Sequence, residues 1–402
     1  MYFSGWCPQS PETRTKPCSV PSSKVQDRSD SGAVLEESGR SVTLVSADAV
    51  PVTIPRADIE ERVGSRLSPM PAGFAKMLSA QQVADIVAWL QTQKSVGDRS
   101  GFSFRDHPDR LDIFFGSQQI ATYLKDHPEL TRRALVNVTT PGGIRVTRNF
   151  PPRAPEDLDP GYRHEDGIIH PRMHPGIWVS YGNLNGEDYW RLQSKVVFDG
   201  FVTPPSGTRD SGQFAVRNLY HNKAGDQVVC AEVSRYQFTR TPQGLLLRLS
   251  VEYTSEQEFY FGDQEESGLA VRVASPLRVQ GGNGTIVNDR GERNGGEIWG
   301  KPARWFDYSG EVDGRHAGLL VMPDPQNARS SWLHARDYGV VVTNPFPKQP
   351  RERREPYVTT PVRQGETFRL AWAILIHDTP ATETFDLQQA AAQVLSSFAA
   401  RP

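Results

Sequence analysis

From about residue 101 to 380 the chain is written in short apolar runs: RLDIFFG (110–116), QQIATYL (118–124), WRLQSKVVFDGF (190–201), QVVCAEVSRYQFTR (227–240), LLLRLSVEYT (245–254), LAVRVAS (269–275), GVVVT (339–343) and FRLAWAILIH (368–377). They recur roughly every 10–15 residues, many alternate apolar with polar, and turn residues separate them, which is the signature of antiparallel strands in a sandwich or barrel. Helical spacing is confined to two places. Over Leu78–Lys94, Val83, Ile86, Val87 and Leu90 share a face behind a Ser79/Gln82 capping box. Asp386–Ala400 reads as a closing helix. Upstream, Val42, Leu44 and Val45, then Val52 and Ile54, predict two strands about a turn. The expected organisation is therefore 1–40 without fixed structure, a small strand–strand–helix unit over 41–94, a linker over 95–100, and a β-sandwich with a terminal helix over 101–402.

Composition sharpens this picture. The 402 residues include 34 Gly and 31 Pro, a surplus that suits turn-rich β structure rather than a helical bundle. Net charge is −2, so no basic excess exists to release counterions from a nucleic acid, and none is expected as a partner. The longest apolar runs, Leu245–Leu247 and Ala371–Ile376, fall far short of the ~20 residues of a membrane helix, so no membrane span and a soluble protein are expected. The start, MYFSGWCPQSPETRTK, lacks a secretory pattern; the sequence as given reads as cytoplasmic, or as periplasmic if a segment precedes it. Cys7, Cys18 and Cys230 are too few for a disulfide framework or a four-thiolate zinc site, although Cys7 and Cys18 could pair. No G-x-S-x-G elbow, Walker loop or H-E-x-x-H motif occurs, and the glycines of 280–296 read as a long turn-rich loop.

Four clusters carry candidate chemistry. The densest, 164–190, holds His164, Glu165, Asp166, His170, His174, Glu187 and Asp188 among Trp178, Tyr181, Tyr189 and Trp190. Pro171, Pro175 and Gly176 oppose a helix, so these groups sit on a loop entering a strand at about Ile177–Tyr181. His170 and His174 with Asp166 form an alternative metal set. The others are 296–310, with Trp299, Lys301 and Trp305; 331–346, with His334, Arg336 and Tyr338; and 259–273, with Asp263, Glu265, Glu266 and Arg272. Imidazoles beside carboxylates suit proton transfer near neutral pH, and aromatic platforms beside amides suit a sugar ring. Bland readings stand beside these: loop-fixing hydrogen bonds for the first cluster, core packing for the indoles, a surface pair for Arg336–Asp337, and a solvated acidic turn for 263–266.

The stretches HPGIWVSYGNLNGEDYW, FGDQEESGLAVRVASPL, IWGKPARWFDYSG, HARDYGVVVTNPF and RQGETFRLAWAILIH resemble, in that order, the PmoA-like or "methane oxygenase-like" family over about 105–380. The resemblance implies an all-β super-sandwich related to galactose mutarotase and a link to sugar degradation. Where that family carries paired histidines, HPRMHPGIW keeps His170, His174, Gly176 and Trp178 but has Met173 and Pro175. Residues 52–91 resemble the tail of a cytochrome-c-like haem domain of planctomycete proteins, with Met70 at the axial-ligand position. The C-x-x-C-H run is missing, so covalent haem is not expected and 41–94 reads as a remnant.

The expected fold is thus an all-β antiparallel super-sandwich, and the expected activity is carbohydrate chemistry of epimerase, lyase or hydrolase type without a cofactor. His170, His174 and His334 are the candidate acid and base. Asp166, Asp188 and Glu266 would orient or ionise them. Arg272 and Arg336 would hold an anionic or carbonyl oxygen. Trp178 and Trp305 would stack on the ring, with Asn183, Asn185, Trp299, Lys301 and Tyr338 completing the binding surface. A non-catalytic carbohydrate-binding module is the alternative.

Overall fold

A computed structural model describes residues 101–159, 173–346 and 358–399, with 5–6, 17–18, 30, 32–37, 41–45, 50–60, 79 and 81–82 upstream. The chain divides into two compact units, Met1–Gly97 and Asp98–Pro402. In the first, strands Ala33–Glu37, Ser41–Val45 and Pro51–Pro55 form an antiparallel sheet whose inward Val42 and Leu44 meet Ile54. Gly5–Trp6 pairs with Pro17–Cys18, so strands occur within the 1–40 stretch expected to lack fixed structure. Ser79 and Gln82 exchange the two capping-box hydrogen bonds, at 2.9 and 3.2 Å. The rest of the 78–94 helix, Met70 and Cys7 lie outside the described residues.

The second unit is the sandwich. Its strands are, in chain order, β1 (Phe102–Asp106), β2 (Arg110–Phe115), β3 (Gln118–Leu124), β4 (Ala134–Val136), β5 (Ile177–Tyr181), β6 (Val196–Gly207), β7 (Ser211–His221), β8 (Val228–Thr241) and β9 (Gly244–Thr254). They continue with β10 (Phe259–Phe261), β11 (Ser267–Arg272), β12 (Thr285–Asn288), β13 (Phe306–Val312), β14 (Arg315–Pro323), β15 (Trp332–Arg336), β16 (Val340–Asn344), β17 (Thr360–Val362) and β18 (Phe368–Pro380). Helices α1 (Asn294–Ile298) and α2 (Leu387–Ser397) complete it. Two eight-stranded antiparallel sheets result, in the orders β15-β16-β11-β5-β4-β3-β2-β1 and β6-β7-β8-β9-β18-β14-β13-β12. The fold is all-β, a large antiparallel sandwich.

Alternation decides which side chains meet between the sheets. In the second sheet Leu247, Leu249 and Val251 of β9 lie opposite Ile374, Trp372 and Leu370 of β18, all turned inward. In the first, Tyr181, Leu269, Val271, Val341 and Leu333 face them. The runs that looked continuously apolar are explained by burial on both faces. The intervening Leu246, Leu320, Met322, Ala373 and Leu375 point the other way, where Ala390, Ala391 and Val394 of α2 cover them. That helix starts one residue after the expected Asp386, whose side chain accepts from Gln389 N at 2.9 Å.

One charge sits inside the core. Glu232 on β8 accepts from Tyr220 Oη at 2.6 Å, Tyr253 Oη at 2.9 Å, Asn218 Nδ2 at 3.0 Å and Ser234. Tyr181, from the opposite sheet, donates to Tyr253 at 2.9 Å, so a hydrogen-bonded chain crosses the sandwich. The 280–296 stretch is not the loop expected. It forms β12 and α1, held where Asn294 Oδ1 accepts from Ile286 N at 3.0 Å and Asp337 Oδ1 accepts from Gly295 N at 2.7 Å.

Trp372, 1 % exposed, spans the middle of the core. Trp372→Ala is expected to cost roughly 3–5 kcal/mol of unfolding free energy in urea titrations; a loss below ~1 kcal/mol would show that the two sheets do not share one continuous core.

Candidate functional site

The site lies on the outer face of the first sheet, opposite the sandwich core. Register builds it. His334 pairs with Val342, Val342 with Ala270, and Ala270 with Trp178, so β15, β16, β11 and β5 bring His334 and Trp178 to the two ends of one cross-strand row. A second row runs Arg336, Val340, Arg272. A third runs Trp332, Asn344 along β15 and β16, while Ser180 pairs with Gly268 on the same face. Small residues thus floor the middle of the face while rings and charges stand around it. Gly268 is obligatory: its φ is +116°, and a Cβ there would meet Thr343 O at 2.2 Å. Gly176 lets the chain cross β4, since its Cβ would lie 2.3 Å from Leu135 O.

Below this floor's edge sits a buried charge cluster. Asp159 is enclosed with Arg272 Nε at 3.0 Å from Oδ1, and with Arg148 Nη1 at 3.2 Å and His174 Nδ1 at 3.1 Å from Oδ2. Burial pushes the Asp159 carboxyl up, but His174, Arg148 and Arg272 outweigh it and hold the group far below the usual carboxylate range. The His174 backbone N–H also donates to Asp159 Oδ2 at 3.3 Å. Burial, with Arg132 and Arg148 near, holds the His174 imidazole below its ordinary value against the pull of Asp159, so the ring is neutral at pH 7. It packs against Trp178, Trp190 and Tyr338 at centroid distances of 5.5, 5.8 and 6.2 Å. Arg132 locks the surrounding loops: its guanidinium donates to the carbonyls of Tyr189 (2.9 Å), Trp190 and Met173 and lies over both indoles.

Above the cluster is a more open polar mouth. Arg191 bridges Asp188, at 3.0 Å, and Glu266. Glu265 lies 3.6 Å from Arg336 and 3.7 Å from Nδ1 of His334. The Arg336 guanidinium covers Trp299 at 5.6 Å, and Trp299 packs 6.1 Å from His334. Asn344 fixes the acidic turn by donating to the carbonyls of Gln264, at 2.6 Å, and Glu265, at 3.3 Å. Burial, with Glu265 and Asp188 adding repulsion against Arg191, raises the Glu266 carboxyl to about 7. Burial, with Arg336, His174 and Arg191 close by, holds His334 well below its ordinary value. The buried polar atoms facing this region, Ser180 Oγ, Trp178 Nε1, Trp190 Nε1 and His334 Nδ1, make no hydrogen bond among the described residues.

The structure brings together His174, Trp178, Asp188, Glu266, Arg272, Trp299, His334, Arg336 and Tyr338 from all four clusters. It also corrects their parts. His174, Trp178 and His334 are 2, 2 and 3 % exposed, so the imidazoles are enclosed and solvent meets Arg336, Glu265 and Arg191 instead. Arg272 is fully buried and spends its charge on Asp159, not on a ligand oxygen. Asn183 and Asn185 belong to a tight turn: Asn183 Oδ1 accepts from Gly186 N at 2.9 Å and Asn185 has φ +56°. Lys301 pairs with Glu292 at 2.7 Å. Trp305 stands on the other sheet's outer face, against α2. The acidic turn is not solvated, since Asp263 and Glu266 are 2 and 8 % exposed. Asp166 and His170 lie outside the described residues, as do His164 and Glu165. Asp159, Arg148, Arg132 and Arg191 were not anticipated as site residues; isolated charges in Pro-rich loops carry no periodic or motif signal. Among the described residues no group of three or more His, Cys, Asp or Glu side chains is placed to hold a metal ion, and no helix is long and apolar enough to cross a membrane.

No curated protein matches the chain. Solved structures similar to it include an α-galactosidase from Geobacillus stearothermophilus, at 10 % identity and TM-score 0.33 over 69 % of this chain and 41 % of that one. Another α-galactosidase, from Lactobacillus brevis, is 12 % identical with TM-score 0.29 over 70 % of this chain and 39 % of that one. A galactose mutarotase related enzyme from Lactobacillus acidophilus is 9 % identical with TM-score 0.30 over 71 % and 99 %. The chain therefore spans less than half the length of both galactosidases. The PmoA-like resemblance is overturned by the family comparison, which matches a different family and lends no support to a planctomycete link. The chain belongs to the family of unknown function DUF6807, whose model matches residues 110–392.

Proposed function

We propose that the outer face of the first sheet binds a carbohydrate and moves a proton on it, in chemistry of epimerase, lyase or hydrolase type. The observation that carries the reading is Glu266: a carboxyl that burial pushes up to about 7, paired with Arg191 and beside Glu265. A group with that value is divided between acid and base near neutral pH, which is the condition for transfer in both directions. Glu266 is the proposed acid–base group and His334 the second proton carrier, its Nδ1 lying 3.7 Å from Glu265. Arg336, held over Trp299, is placed to meet an oxygen that gains negative charge. His174 is a positioning residue, held by Asp159 beneath the two indoles. Asp188 acts through Arg191. The second reading, a non-catalytic carbohydrate-binding module, is favoured by the near-complete enclosure of both imidazoles.

Incubating the full chain with mono-, di- and keto-sugars, including uronates, and following products by NMR beside a thermal-shift screen separates these readings. Turnover that Glu266→Gln abolishes with unchanged circular dichroism is the expected result. Stabilisation by a sugar without product leaves the binding module standing. Neither product nor stabilisation across the panel would sink both.

Glu266 also leaves a signature in stability. Its folded value lies above the unfolded one, so its contribution is full below about 4.5 and is lost as pH rises through about 7. The melting-temperature difference between the native chain and Glu266→Gln should therefore move against the native chain from pH 5 to pH 8. A pH-independent difference would remove the perturbed carboxyl from the argument.

Asp159 has the opposite sign. Asp159→Asn leaves two buried guanidiniums with one neutral partner and is expected to cost roughly 3–5 kcal/mol at pH 7 in denaturant titrations. The gap should stay full above the unfolded carboxylate value of ~3.9 and close as pH falls below it. A cost under ~1 kcal/mol would show that Asp159 does not hold the loops.

A further inference from the structure

The second sheet carries a cleft of its own. It opens beside α2, has a volume of about 570 Å³ and belongs to none of the chemistry above. Cavities of ~300–1,000 Å³ are the size of small-molecule sites. One wall is apolar: Trp305 and Met322 from the sheet side face Ala391 and Leu395 of α2. Leu395 is 48 % exposed, one of few large apolar side chains left in water among the described residues.

The other wall is cationic. Arg290, Arg304 and Arg329 line it beside Asp289 and Asp324. Both carboxylates are already spent, Asp289 on Arg304 at 2.9 Å and Asp324 on Arg369 at 3.4 Å. Arg290 lies 3.3 Å from Glu292. Arg329 has no ion-pair partner among the described residues. Two residues along, Ser331, a lining residue of the cleft, is 2 % exposed, and its Oγ has no hydrogen-bond partner among the described residues. A buried hydroxyl without a partner is costly unless something fills its valence.

We propose that this cleft is a binding site for an amphiphilic organic anion, an aliphatic or aryl body ending in a carboxylate. The body lies between Trp305, Met322 and the Ala391–Leu395 face of α2. The carboxylate takes the Ser331 hydroxyl and the Arg329 guanidinium, a charge-assisted pairing that a neutral head group cannot make. The site is independent of the proposed sugar face, because it stands on the outer face of the other sheet.

The test uses the full chain with decanoate and 1-anilinonaphthalene-8-sulfonate, followed by titration calorimetry and probe fluorescence, with 1-decanol as the neutral control. Saturable binding of decanoate that displaces the fluorescent probe is expected, with decanol weaker. Arg329→Glu should weaken decanoate by ~10-fold or more. Ala392→Trp, a change at an exposed helix position on the cleft, should abolish binding while the melting temperature holds. If Ala392→Trp unfolds the chain, Arg329→Glu decides alone. No saturable binding, equal affinity for decanol, or decanoate affinity unchanged in Arg329→Glu would each overturn the proposal.

Discussion

A single carboxylate governs the functional face. Asp159 is taken out of water together with Arg148 and Arg272, and desolvating three charges costs far more than an exposed ion pair returns. The cluster survives because each charge is partly matched and because backbone carbonyls take up further guanidinium hydrogens, as Asp157 O does for Arg148 at 2.9 Å. One negative charge faces the guanidiniums of Arg148 and Arg272, and Arg132 lies close by as well. Burial, with Arg132 and Arg148, holds the imidazole below its ordinary value although it touches a carboxylate. The same pairs tie the 148–159 loop and the His174 segment to β11, so the site's geometry and the cluster's electrostatics are one constraint.

That constraint was hidden in the sequence while the scaffold was not. Alternation in QVVCAEVSRYQF announced a strand directly, because half of the run faces water or polar neighbours, whereas in WRLQSKVVF only Val196–Phe198 is strand and the residues before it form a turn. The runs LLLRL and LAWAILI were harder to read, since a segment buried on both faces loses its period. Their meaning came from α2, which covers one side of the same strands whose other side builds the core. The Glu232 network was invisible for a different reason. A lone acidic residue in an alternating strand reads as outward-facing, and only the four hydroxyl and amide donors around it make an inward carboxylate tolerable.

The site was half legible. Local density of imidazoles, indoles and carboxylates pointed to His174, Trp178, Glu266, His334, Arg336 and Tyr338, and register then placed them on one face. Parity and neighbouring strands decided the failures. Trp305 belongs to the opposite sheet. Asn183 and Asn185 answer to turn geometry, which uses the same residue types as sugar recognition. Asp159, Arg148 and Arg132 had no signature, because their significance lies in which charges tertiary structure places opposite them and not in any spacing along the chain.

The two outer faces also differ in how they are covered, and this difference explains their chemistry. The first sheet is roofed by loops, whose backbone carbonyls need donors; arginines supply these, and carboxylates follow to balance the arginines. The result is a polar, charge-dense face on which burial, with Glu265 and Asp188 adding repulsion, raises the Glu266 carboxyl. The second sheet is roofed by a helix whose hydrogen bonds are internally satisfied, so its contact with the sheet is apolar. Charge on that face includes the buried Asp307–His377 pair, at 2.8 Å, and the arginines beside Trp305. The loop-roofed face is the polar one for that reason, and the helix-roofed face is apolar where α2 covers it.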